Sequence, residues 1–215
     1  MRGHTAIVAE LAQIVAGLDR EETETADGLG ELVAAGLRHV AGSQYAGITR
    51  ADKNQAVSNV VATHRHATVL DAIQNRWGEG PSVAAAWRHH VMHIDDLTAD
   101  ERWPRFRREA LDQTPIRSLL SYEVLADGRG GAALNFYADR PHAFTDDSLH
   151  LGGVFATHIA SAWSMLRRQD QFRSALASRD TIGQAKGVLM ERFDLDAVEA
   201  FDLLTRLSQQ SNKRV

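Results

Sequence analysis

Two runs decide the fold: Ile116-Arg-Ser-Leu-Leu-Ser-Tyr-Glu-Val-Leu125 and Gly130-Gly-Ala-Ala-Leu-Asn-Phe-Tyr137, joined through Asp127-Gly128-Arg129-Gly130. Two apolar segments of strand length on either side of Asp-Gly predict an antiparallel hairpin, because that dipeptide accepts the positive φ of a tight turn. Upstream, Tyr45-Ala-Gly-Ile-Thr49 and Ala56–Thr63 repeat the arrangement across the polar turn Arg50–Gln55, and His90–Ile94 offers one further short strand. Helical spacing surrounds these strands. Ile7, Leu11, Ile14, Val15 and Leu18 recur within 5–18, and Leu29, Leu32, Val33, Leu37 and Val40 within 27–40. Helices are also expected over 66–77, ended by Trp77-Gly-Glu-Gly-Pro81, and over 101–113, with Pro104 near the first turn. From Asp146, the residues Leu149, Phe155, Ile159, Ala162, Trp163 and Leu166 predict a helix that continues to about Ser178. Hairpins with helices before and after them predict an α+β domain whose antiparallel sheet spans roughly 43–137.

A chain of 215 residues can bury one sizeable core and carry a small second module. Its 44% apolar and 24% charged content is that of a folded protein. The sequence lacks the ~18–20 uninterrupted apolar residues of a membrane span and opens without a signal-peptide block, so a cytoplasmic placement is expected. The absence of cysteine excludes disulfides, thiolate catalysis and Cys-ligated metals. Charge is uneven: residues 1–166 hold 15 Lys/Arg against 21 Asp/Glu, and 167–215 hold 9 against 7. The basic tail permits a nucleic-acid partner, although a two-charge excess is also ordinary for a solvated helix.

Six ordered blocks then carry a resemblance. Trp77-Gly-Glu-Gly-Pro-Ser82, Asp95-Asp-Leu97, Arg102-Trp-Pro-Arg-Phe106, Ser118-Leu-Leu120, Ala133-Leu-Asn-Phe-Tyr137 and Ala143-Phe-Thr145 resemble actinobacterial GAF sensor domains, with Ser82 where the first block often ends in cysteine. The tail Ser178-Arg-Asp-Thr-Ile-Gly-Gln-Ala-Lys-Gly-Val-Leu-Met190, followed by Glu199-Ala-Phe201 and Leu203–Ser208, resembles an ANTAR module. The resemblance implies a GAF-like sensor over 1–166 and an all-helical RNA-binding module over 167–215. It also implies dimers that hold RNA hairpins in transcription antitermination. The family continues into a third helix where this sequence ends at Asn212-Lys-Arg-Val215, so the expected module is truncated, lacks its last helix and binds RNA poorly. Methionine sulfoxide reduction, known in some GAF-fold proteins, needs cysteines that this chain lacks. No P-loop, dinucleotide fingerprint or Ser/His/Asp spacing points to an enzyme either.

Helical phasing places Ile182, Ala185, Leu189 and Phe193 on one face of the tail and Arg179, Lys186 and Arg192 largely away from it. Arg179, Gln184, Lys186, Arg206, Lys213 and Arg214 are the candidate RNA contacts, since phosphate neutralisation dominates RNA affinity. Gln184, Lys186 and Arg206 would equally serve a helix-turn-helix entering a DNA major groove, a reading that the glycine-free turn 193–196 disfavours. Asp196-Ala-Val-Glu199 fits a capping box. Trp77, Trp87, Trp103, Tyr122 and Asn135 are the candidate lining of a pocket for a small molecule, either as ligand contacts or as plain core. His64 and His66 read as a surface pair. His89, His90 and His93 lack a third ligand, and a strand starting at His90 breaks the helical spacing, so no metal site is expected. Adjacent Asp95 and Asp96 point to opposite strand faces, which disfavours catalytic pairing. A homodimer is expected through Leu11, Ile14, Leu18, Ile159, Trp163 and Leu166, which offer more apolar helix surface than one sheet face can cover.

Overall fold

The computed structural model describes residues 2–18, 25–54, 56–87, 91–127 and 130–211. Contacts divide the chain into one unit at Met1–Ser164 and another at Met165–Val215.

The first unit is built on a five-stranded antiparallel sheet of order β2-β1-β5-β4-β3. Its strands are β1 (Tyr45–Asp52), β2 (Val57–Ala62), β3 (Val91–Ile94), β4 (Ser118–Asp127) and β5 (Gly130–Ala138). Both expected hairpins form. β4 and β5 pair from Ser118↔Ala138 to Asp127↔Gly130. In the first hairpin, the Asp52 carboxylate accepts the Asn54 and Ala56 amides at 2.8 and 2.9 Å and so shapes the turn.

Strand alternation sorts the side chains into two cores. One face carries Ile48, Leu134, Phe136, Leu120 and Tyr122, and it is covered by α2 (Thr25–His39) and the start of α6 (Asp146–Phe193), with α1 (Arg2–Leu18) packed on α2. Close approach there depends on small residues. A Cβ on Gly36 would sit 3.1 Å from the Phe136 ring, and one on Gly152 would sit 2.6 Å from the Tyr122 hydroxyl, which donates to Leu149 O at 2.9 Å. The opposite face carries Thr49, Leu119, Ser121, Asn135 and Tyr137. It is covered by α3 (Arg65–Trp77), α4 (Pro81–Trp87) and α5 (Pro104–Gln113). Leu70, Ile73, Phe106 and Ala110 fill the space between.

Three expectations are corrected. The helix begun at Asp146 does not stop near Ser178 but continues to Phe193, because nothing between those positions breaks it and Gly183 and Gly187 are tolerated in the interior of an otherwise helical run. The short helix α4 stands where no element was expected, since Pro81 is well suited to the first helical position. The apolar surplus assigned to a dimer contact is covered within the chain: Leu11, Leu18, Ile159, Trp163 and Leu166 are buried and Ile14 is half-buried. His89, His90, Lys213 and Arg214 lie outside the described residues, as does the side chain of Trp87.

The second unit holds the final part of α6, followed by α7 (Ala197–Ser211). Asp194 closes α6 in the left-handed region at φ 53°. The expected capping box opens α7: Asp196 Oδ1 accepts the Val198 and Glu199 amides at 2.8 and 2.9 Å, and Glu199 returns to the Asp196 amide at 3.0 Å. These backbone donors hold the Asp196 carboxyl below its ordinary pKa.

Candidate functional site

Trp77-Gly-Glu-Gly-Pro-Ser82 organises the α3/α4/α5 side of the sheet. Gly78 ends α3 in the left-handed conformation at φ 63°, its amide donating to Gln74 O. Glu79 reaches the start of α5, where its carboxylate accepts the Arg105 and Phe106 amides at 2.8 and 3.0 Å. Trp103, the residue at the cap position of α5, offers no side-chain cap of its own, so the helix is capped from a distant loop. Gly80, at φ 148°, lies so close to Gln74 that a Cβ there would meet its side chain at 2.5 Å. Glu79→Ala is therefore expected to lower unfolding free energy by about 1–2 kcal/mol. A change below about 0.3 kcal/mol in urea denaturation would remove the capping role.

Beneath this segment lies a buried polar network. Asn135 is its hub: its carbonyl oxygen accepts Ser121 Oγ at 2.6 Å and Ser82 Oγ at 3.0 Å, and its amide donates to Thr49 Oγ1 at 2.9 Å. Thr49 Oγ1 donates in turn to Asp71 Oδ1 at 2.6 Å, and Asn59 Nδ2 donates to Asp71 Oδ2 at 2.8 Å. Gln74 and Ser82 exchange two bonds, Gln74 Nε2 to Ser82 Oγ at 3.2 Å and Ser82 N to Gln74 Oε1 at 2.9 Å. Burial pushes the Asp71 carboxyl up to about 6, against the smaller opposing effects of Asn59 and Thr49. Burial, with the nearby Asp71 charge, also raises the Tyr137 hydroxyl well above its usual value.

The four expected pocket residues whose side chains are described do not converge. Register pairs Tyr122 with Leu134 and Asn135 with Ser121, so Tyr122 and Asn135 point to opposite faces of the sheet. Trp103 is half-buried against the cluster of Ala85, Met92 and Ala133, on the Asn135 side. Trp77 is 39% exposed, donates its indole N–H to Glu109 at 2.6 Å and lies 5.5 Å from the Arg105 guanidinium. It borders an open depression of about 830 Å³ with Pro104, Arg108 and Leu111. Thr49, Asp71, Gln74, Ser121 and Tyr137 escaped the sequence reading. Their one available signal was a polar atom at an inward position of an otherwise apolar strand or helix.

Neither Asp95 nor Asp96 joins this network. Asp96 forms a two-oxygen pair with the Arg117 guanidinium, 2.9 Å at its Oδ2, which holds its carboxyl down at about 2. Asp95 lies 3.2 Å from His93 Nε2. His64 is the cap residue of α3, and its ring stacks on Tyr45 at 4.5 Å.

In the second unit, Arg179, Gln184 and Arg206 are exposed. Lys186 is half-buried, not turned away from the apolar side: successive 100° steps leave it about 40° from Ile182, which is itself half-buried. The same geometry puts Arg179, Gly183, Lys186 and Gly187 within about 100° of helix circumference. A Cβ on Gly183 or Gly187 would meet nothing within 4 Å, so packing of the described residues does not require glycine there. Phe172, Val188, Phe193, Val198 and Phe201 expose between 49% and 69% of their surface.

Residues 23–164 match the family model of the GAF domain, and residues 170–215 match that of the ANTAR domain. No curated protein matches the chain. Similar solved structures include the GAF domain of a phosphoenolpyruvate-protein phosphotransferase from Coxiella burnetii, 14% identical with a TM-score of 0.55, over 77% of this chain and 96% of that one. Another is the free methionine-R-sulfoxide reductase of Neisseria meningitidis in complex with its substrate, 15% identical with a TM-score of 0.53, over 74% and 89%. The chromophore-binding domain of a bacteriophytochrome from R. palustris is 8% identical with a TM-score of 0.57, over 77% and 63%. At these identities the likeness is one of fold. Among the described residues, no helix is long and apolar enough to cross a membrane.

Proposed function

Because the chain belongs to the GAF domain family and carries an ANTAR domain after it, we propose that it is a signal-responsive, non-enzymatic regulator that binds structured RNA and acts in transcription antitermination. The RNA reading rests on the Arg179/Gly183/Lys186/Gly187 face. Exposed Arg179 and half-buried Lys186 adjoin two positions of bare backbone, where a Cβ would meet nothing within 4 Å. A helix-interior glycine costs roughly 1 kcal/mol relative to alanine. A pair of them without a packing reason supports close approach by a phosphate backbone, with Arg206 and Gln184 as further contacts.

On the sensor side, the ligand site is the α3/α4 face around Asn135, with Trp103 at its wall. Tyr122, on the other face, contacts α6 and positions the sheet against that helix. A homodimer forms through exposed apolar side chains of α6 and α7 such as Phe172, Val188 and Phe193, which a second copy would cover. A monomeric mass in light scattering at all concentrations would remove the dimer. Selection of hairpins from a randomised-loop RNA library, followed by single-round transcription through a terminator placed after the selected hairpin, tests the regulatory role. Read-through that rises with protein and falls with Lys186→Ala is expected. Unchanged termination with a hairpin that the protein does bind would leave RNA binding standing and remove antitermination.

A further inference from the structure

The ligand class follows from which hydrogen-bonding capacity the polar network leaves unused. Asn135 has spent its amide on Thr49 Oγ1 and Ala133 O and its carbonyl on two serines. Ser82 and Gln74 satisfy one another. Asp71, only 4% exposed, accepts from Thr49 and Asn59, neither of which carries a charge. Among the described residues no Lys, Arg or His contacts it. A carboxylate oxygen has two lone-pair sites, so each oxygen of Asp71 retains one. Buried charges are normally paired, and among the described residues no opposite charge stands against this one. The second unspent group is the Tyr137 hydroxyl, buried and without a hydrogen-bond partner of normal geometry among the described residues.

We infer that this interior site takes a compact organic cation, a primary ammonium or an amidinium, with its charge on Asp71 and an N–H directed to the Tyr137 oxygen. The inference rests on the reading of this face as the ligand site. An anion would meet an uncompensated carboxylate. A neutral carbonyl would satisfy the Tyr137 O–H and leave Asp71 as it is. A donor-rich cation answers both groups. Room comes from Gln74, whose side chain spans to Ser82 under Gly80 and gives up its two bonds to Ser82 when a new rotamer vacates that space.

Acetamidinium, acetamide and acetate are nearly isosteric and differ in charge, so they separate the cases. In the isotope-labelled full chain at pH 7.5, acetamidinium is expected to shift the amides of Thr49, Ser82 and Asn135 and to bind at least tenfold tighter than acetamide, with acetate silent. Lowering the pH to 5, a unit below the Asp71 titration near 6, should weaken it about tenfold. Asp71→Asn, verified as folded by its dispersed spectrum, should erase the preference for the cation. Tyr137→Phe should weaken binding while keeping that preference. If acetamide or acetate shifts these amides and acetamidinium does not, the charge class is wrong while the site stands. Equal binding of acetamidinium to Asp71→Asn likewise overturns the role of Asp71. If none of the three perturbs these amides, the site itself is misplaced and the inference falls with it.

Discussion

Gly131→Ala should lower the unfolding free energy of the sensor unit by about 3 kcal/mol, at the upper end of what overpacking a core usually costs. A Cβ at position 131 would lie 2.2 Å from the Ala86 carbonyl oxygen, and backbone cannot rotate aside as a long side chain can. Relief requires α4 to lift off β5, and α4 carries Ser82 into the Asn135 network. The substitution therefore strains the fold and loosens the ligand site together. For a unit of this size the melting temperature should fall by roughly 6–12 °C. A loss under 2 °C would show that α4 is not seated on β5 as described.

The second large effect concerns Asp71. Its folded-state pKa of about 6 stands above the ordinary 3.8, so the folded protein holds this proton more tightly than the unfolded chain does. For such a raised carboxyl the stabilising contribution is fully present below pH 3.8 and is lost as pH rises through about 6. The whole shift corresponds to on the order of 3 kcal/mol, of which about 1.4 kcal/mol is traversed between pH 5 and pH 7. Asp71→Asn removes the charge and keeps the shape. It should be more stable than the parent at pH 7.5, and that advantage should shrink steadily as pH falls to 5. The measurement is the difference between the two urea-unfolding free energies across that range. A difference independent of pH would mean that Asp71 is not a buried, uncompensated acid.

Much of this was legible from the sequence, for identifiable reasons. Asp127-Gly128 between apolar runs announced the β4–β5 hairpin, and Asp196-Ala-Val-Glu199 announced the reciprocal cap of α7, because both depend on neighbours in sequence. What escaped depends on partners brought together by the fold. Glu79 caps a helix that begins 25 residues later, at Pro104. Asp71 looked like one polar residue of an amphipathic helix until β1 and β2 placed Thr49 and Asn59 against it. Tyr122 and Asn135 both lay on expected strands, but only the register shows that they face opposite ways. The apolar spacing from Leu149 to Leu166 marks the start of α6 but carries no signal for its end, which the structure places at Phe193.

The central claim is that the C-terminal unit recognises RNA through the Arg179/Lys186 face, and its most direct test is fluorescence anisotropy of a selected RNA hairpin against rising salt. Even if the chain binds weakly, affinity should fall linearly on a log–log plot. Lys186→Ala should weaken it several-fold and reduce the slope by roughly one unit or slightly less, and a DNA duplex of the same sequence should bind more weakly. Binding that ignores salt, is untouched by Lys186→Ala, or favours the DNA duplex would contradict the account.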